Sequence, residues 1–278
     1  MKHMTEKYPN VSRMILVIVL FVIVLLISGI VNRGVIKQYA PYASCILLFV
    51  VTWFLLKTEK KSLSGLGLNF SLKNVLLLPL GVLIGVLALF VAKYLRALYL
   101  GETFEISTSI DYWAILMAFY FILPQVATEE FLFRGYLFKK TIELSNVIVA
   151  NIIFSILFML IHVLDEGVLS NTGMLILLVV SIPVGHLLFA TALLKSKTLF
   201  FPIGIHLGNN WATRHLISNV NDGSSFLFVT NANTFETWTP FIGFLIIFNG
   251  FFLLVTFVIW KWDRLKTYSS FFNYFLLK

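Results

Sequence analysis

The segment from Pro124 to Arg134 carries Thr128, Glu129, Glu130 and Arg134 inside a stretch that is otherwise almost wholly apolar. A charged group at bilayer depth costs about 2.5–3.5 kcal/mol even on a lenient insertion scale, so each is a candidate functional group. On a helix Glu130 and Arg134 stand four apart, the spacing of an ion pair. Glu129 is turned about 100° from Glu130 and cannot share that face. The pattern separates a neutralised carboxylate from one free for chemistry, although bracing of a bundle by all three is the plainer alternative. Two more apolar stretches carry polar groups: His162, four residues after Phe158, and His206 with Asn210, again four apart and beside Asn209 and Trp211. Taken singly, His162 reads as a satisfied structural histidine and the His206–Asn210 pair is ambiguous. Together, a glutamate, two histidines and an asparagine on three separate segments supply a general base, an imidazole and an amide donor. Those are the parts needed to activate water and stabilise an oxyanion. His186, which follows Pro183 and Gly185, is a rival with no nameable partner and reads as structural; His3 and His215 lie near segment ends and add little.

The elements that hold these groups must be membrane helices. The 278 residues are 59% hydrophobic and 12% charged, with a mean hydropathy of +0.92, whereas a soluble domain carries about 25% charged residues. Membrane-spanning backbone must satisfy its own hydrogen bonds, which leaves helices and closed barrels, and no barrel-type alternation occurs. A span needs roughly 20 apolar residues. On that basis the chain reads as one all-α, polytopic transmembrane bundle over 1–278, with eight spans near 14–31, 40–56, 74–98, 112–138, 146–164, 173–194, 199–218 and 240–260. Residues 112–218 form the part that carries the polar groups. The polar and basic start to Arg13, followed by an apolar run to Val31, reads as a retained first span rather than a cleaved signal.

Eight spans put both termini on one side. With the termini cytoplasmic, the inner segments hold most of the lysines and arginines, among them Arg13, Lys57, Lys61, Lys139, Lys140 and Lys197, while Glu102, Glu105, Asp165, Glu166, Asp222 and Glu236 fall in outer loops. That asymmetry follows the positive-inside rule. The net charge of +8 is therefore topology, and no nucleic-acid partner is expected. The lone Cys45 allows no internal disulfide and no thiolate metal cluster. Residues 57–73 suit the inner interface, and Gly81 with Gly85 makes a small-residue pair for close helix approach, internally or in a dimer. The outer loop 219–239 shows no recognisable motif, and no internal repeat is found. Counted at 1.5 Å per residue, Glu129 lies about 16 Å inward from Lys140 and His162 about 24 Å from Asn146, a mismatch that demands helix tilt or an offset hairpin at 141–146.

In order and spacing the motifs resemble those of the CPBP family, intramembrane proteases that include the CAAX prenyl endopeptidases and bacteriocin-processing or self-immunity proteins. The family's EExxxR stands as Glu129-Glu130-Phe-Leu-Phe-Arg134, its FxxxH as Phe158-Met-Leu-Ile-His162, and a late HxxxN as His206-Leu-Gly-Asn-Asn210 preceded by Phe201-Pro202-Ile203-Gly204-Ile205. The resemblance covers about 120–215. It implies Glu129 as base on water with His162 assisting, His206 and Asn210 on the oxyanion, and Glu130 with Arg134 bracing the site. Both glutamate-type and metal-dependent chemistry have been described for the family. A metal-independent site is the expectation; zinc on Glu129, His162 and His206 is the alternative, since two histidines and a carboxylate can hold a hydrolytic zinc, although no HExxH is present.

The reading is thus an endopeptidase of a bacterial plasma membrane, acting on a hydrophobic or membrane-associated peptide, with the lipid bilayer as its other partner. Pheromone or bacteriocin precursors suit it better than prenylated CAAX ends if the source is bacterial. Two rivals stand beside it: a non-catalytic immunity or scaffold protein on the same bundle, and a small transporter, which would favour inverted repeats and broken helices.

Overall fold

A computed structural model describes residues 9–31, 39–231 and 235–262. His3, Arg33, Lys37 and both chain termini therefore lie outside the described residues. The helices are α1 (Pro9–Val31), α2 (Ala43–Thr58), the short α3 (Leu72–Val75), α4 (Leu77–Leu100), α5 (Tyr112–Arg134), α6 (Tyr136–Leu144), α7 (Val147–Val163), α8 (Thr172–Ser196), α9 (Phe200–His215) and α10 (Trp238–Trp260). By length and composition, five helical stretches can cross a membrane: Asn10–Ile30, Leu72–Leu100, Tyr112–Leu144, Thr172–Ser196 and Trp238–Trp260. The apolar helices Ala43–Thr58 and Val147–Val163 are shorter. The chain is an all-α, multi-pass membrane bundle, with its large apolar side chains exposed along α1, α2, α7 and α10 where lipid replaces water.

Three boundaries depart from the sequence expectation. The predicted span 112–138 is two helices, because the chain breaks at Gly135. A Cβ there would stand 2.1 Å from the Phe131 carbonyl oxygen, so only glycine permits the break. The helix that follows, α6, buries Tyr136 and Phe138 and carries Lys139, Lys140 and Glu143. The predicted span 199–218 ends as a helix at His215, and its last residues enter a strand. The outer loop, read as featureless, forms part of a small sheet in an otherwise helical chain. Strand β1 (Thr103–Ile106) pairs antiparallel with β3 (Leu227–Thr230), Thr103 opposite Thr230, and β2 (Ile217–Ser218) pairs parallel with β3. Strands of two and four residues carry no alternation long enough to be read.

α9 is the axis of the bundle, and its most extensive contact is with α4. The seam is built from two facing small-residue pairs, Gly81 and Gly85 on α4 and Gly204 and Gly208 on α9. A Cβ would lie 2.6 Å from the Phe201 carbonyl oxygen at Gly81, 2.1 Å from that of Ile205 at Gly85, 2.2 Å from that of Leu78 at Gly204 and 2.2 Å from that of Val82 at Gly208. The Gly81–Gly85 pair thus serves internal packing. Gly208→Val is expected to lower thermal stability in detergent by the roughly 1–3 kcal/mol of an overpacked core, while Gly250→Ala, with open space at its Cβ, leaves it unchanged. Equal melting of the two variants would disprove the tight seam.

At the end expected to face the cytoplasm, Glu59 is a hub. It accepts from the Tyr136 hydroxyl at 2.6 Å and pairs with Arg13, with Lys61 at 3.2 Å and with Lys140 at 3.3 Å. Burial alone would raise its pKa, but bonds from Tyr136 and Lys61 and the Arg13 charge outweigh burial and hold the carboxyl at about 2. At the opposite end Lys93 donates to the carbonyls of Thr213, at 3.3 Å, and Ile217, which closes the C-terminal turn of α9. The site lies between these two ends.

Candidate active site

α5 must carry two glutamates and an arginine through apolar surroundings, and it does so with a built-in irregularity. Pro124 has no N–H to give the Tyr120 carbonyl, and the Tyr42 hydroxyl from the start of α2 donates to that carbonyl at 3.0 Å instead. One turn later the Thr128 hydroxyl returns to the Pro124 carbonyl at 2.7 Å. The helix then presents Glu129 to a cleft and Glu130 to the interior.

Glu130 and Arg134 are both fully buried. Arg134 Nη1 donates to Glu130 Oε1 at 3.2 Å. The guanidinium stands 4.2 Å from the ring centroid of Phe158 and 5.1 Å from that of Phe189, so aromatic faces offset part of its lost hydration. His206 Nδ1 lies 2.8 Å from Glu130 Oε1. A carboxylate oxygen only accepts, so Nδ1 carries the proton and Nε2 turns toward Glu129, 3.6 Å from Oε2. The His206 ring stacks on Phe189, with centroids 4.5 Å apart. Rotation is blocked on one side and the tautomer set on the other.

Glu129 is only partly buried. Its Oε1 accepts from Gln125 Nε2 at 3.0 Å, while Oε2 has no hydrogen-bond partner among the described residues. His162 sits in the last turn of α7 with Nδ1 2.8 Å from the Phe158 carbonyl oxygen. That carbonyl can only accept, so in neutral His162 the bare lone pair is on Nε2. Phe158 thus does three things: its carbonyl orients His162, its ring packs edge-to-face with the imidazole at 4.7 Å between centroids, and its face covers Arg134. The spacing of phenylalanine and histidine four apart has a direct physical basis.

Glu129, His162, His206 and Asn210 line one cleft of about 580 Å³, together with Gln125, Asn209 and Phe244, Phe248 and Phe252 of α10. Glu130 and Arg134 lie behind it. His186 does not line it; it is fully buried against the rings of Phe138 and Phe158. Among the described residues no group of three or more His, Cys, Asp or Glu side chains is placed to hold a metal, and both His206 nitrogens address carboxylates. Sequence reasoning passed over Gln125, Phe189 and Asn249. Gln125 could have been found as the residue one turn before Glu129, and Asn249 as an amide in an otherwise apolar run. Nothing in the sequence marks Phe189 out from 27 other phenylalanines.

Residues 111–212, from the cap of α5 to the last turns of α9, match the family model Rce1-like, type II CAAX prenyl endopeptidase Rce1-like. Over this segment the chain is similar to the CPBP/CAAX proteases. No curated protein and no solved structure matches it. The matched segment contains Gln125, Glu129, His162, His206, Asn209 and Asn210 of the cleft, while α1, α2, α4 and α10, with Asn249, lie outside it.

Proposed function

We propose that the chain is an intramembrane endopeptidase of a bacterial plasma membrane that hydrolyses a peptide bond in a hydrophobic or membrane-associated peptide. The observation that carries this reading is the convergence of Glu129, His162, His206 and Asn210, from α5, α7 and α9, on one cleft with apolar walls. Glu129 Oε2 takes the proton of the attacking water, and His162 Nε2 is the second acceptor that orients it. Attack on the carbonyl carbon places negative charge on its oxygen, which the Asn210 amide meets with a hydrogen bond; collapse of this intermediate breaks the C–N bond as Glu129 returns its proton to the departing amine nitrogen. His206, protonated on Nδ1 by its bond to Glu130, becomes a donor at Nε2 once a proton reaches that nitrogen. Glu130 is then its counter-ion, and Arg134 offsets the charge on Glu130. No step passes through a metal.

The test compares the small secreted peptides of the host with wild-type protein and with Glu129→Ala, at matched membrane abundance. Specific cleavage products should disappear in the variant while their precursors persist. An unchanged peptide profile, with any immunity or binding phenotype intact, would favour the scaffold reading over the protease.

A further inference from the structure

The cleft has polar groups that the chemistry above leaves unused. Ser181 on α8 and Asn249 on α10 also line it, and these two helices, which contribute none of the proposed catalytic side chains, pack against each other. Asn249 is 6% exposed. Its Nδ2 donates to the Leu245 carbonyl at 2.8 Å. Flipping the amide would set two oxygens against each other, so the orientation is fixed and Oδ1 is left as an acceptor with no donor among the described residues. Ser181 Oγ is likewise buried without a partner. On the helices around the cleft, other hydroxyls return to the carbonyl one turn back: Thr128 to Pro124, Thr213 to Asn209, Thr256 to Phe252 and Ser196 to Ala192. Ser181 does not. Polar groups held at membrane depth without partners point to a ligand that supplies them.

The ligand that needs such groups is an unwound backbone. A peptide in lipid satisfies its N–H and C=O groups internally, and a helix hides the bond to be cut. Opening it frees main-chain donors and acceptors that must find partners in the cleft. We infer that Asn249 and Ser181 form a main-chain subsite for an unwound hydrophobic peptide, with a substrate N–H bonded to Asn249 Oδ1 and a neighbouring main-chain group bonded to Ser181 Oγ. The side chains of that segment lie against Phe244, Phe248 and Phe252, which line the same wall. This inference rests on the protease reading and extends it to how substrate is held.

The experiment uses the full chain in detergent and a library of hydrophobic decapeptides, with copies N-methylated at each position in turn. Binding is measured on Glu129→Gln, alone and combined with Asn249→Leu or Ser181→Ala, and cleavage on the proteins with Glu129 intact. Asn249→Leu keeps side-chain volume and should raise KM about tenfold, the weight of one hydrogen bond, with kcat near wild type and thermal stability equal or higher. N-methylation at one position should weaken binding to Glu129→Gln and have no further effect once Asn249 is Leu. A drop in thermal stability with no change in KM would assign Asn249 to packing and overturn the subsite. Equal binding of methylated and unmethylated peptides would overturn it as well. If wild type cleaves the library and both variants match its KM, the subsite fails and the protease reading stands. If wild type neither binds nor cleaves any member, both fail.

Discussion

Arg134→Ala is expected to deplete the protein from the membrane, whereas Glu129→Ala leaves its abundance near normal. Arg134 and Glu130 are both fully buried, and removing the guanidinium leaves Glu130 with His206 as its remaining partner. Breaking one side of a buried pair costs roughly 3–5 kcal/mol, a large share of the 5–15 kcal/mol that holds a typical domain. Arg134→Lys recovers little, since a compact ammonium cannot spread between the faces of Phe158 and Phe189 as the planar guanidinium does. Converting the pair together, Glu130→Leu with Arg134→Met, should restore abundance, because apolar residues of similar volume often replace a buried ion pair without loss. That double variant should remain inactive, as His206 Nδ1 then has no acceptor. Abundance and thermal stability in detergent are the measurements. Equal abundance of Arg134→Ala and Glu129→Ala, with activity lost in the former alone, would reverse the roles assigned to the two glutamates.

The second large effect concerns Asn210. Removing one oxyanion donor typically costs about 10²–10³ in rate, so Asn210→Ala should lower kcat by that factor with KM and abundance almost unchanged. Asn210→Asp should do no better, since a carboxylate offers no donor when ionised. Chelators should have little effect on the purified protein. Stoichiometric zinc, with activity lost on chelation and regained on zinc addition, would refute the metal-free route. A parallel rise in KM would instead place Asn210 in substrate binding.

Much of this arrangement was legible in the sequence because lipid makes polar residues conspicuous. Glu129, Glu130, Arg134, His162, His206 and Asn210 stand out as exceptions in apolar runs, and the four-residue spacings within their segments follow from helix geometry alone. The location of α4, α5, α8 and α10 followed equally from run length. What was hidden depended on shape rather than polarity. The break at Gly135 looks like any other glycine until the Phe131 carbonyl is seen beside it. Gly204 and Gly208 fall inside a motif whose polar members draw the eye, so the second half of the glycine seam went unseen. Phe189 is indistinguishable in sequence from phenylalanines that face lipid. The strands were illegible for a different reason: they are too short for periodicity, and the pairing of β1 with β3 joins residues more than 100 positions apart.

The glycine seam also bears on how a bulky substrate reaches the cleft. With four carbonyls standing where Cβ atoms would be, α4 and α9 are joined backbone to backbone and slide or tilt only as one body. His206 and Asn210 ride on that body, and α5 is tied to it through the Trp211 indole, which donates to the Ile115 carbonyl at 2.9 Å. The anvil of the site is therefore fixed. On the other flank α8 and α10 carry Ser181 and Asn249, and no glycine of theirs stands against a facing backbone; under the proposed function, that flank is the one left to admit a peptide.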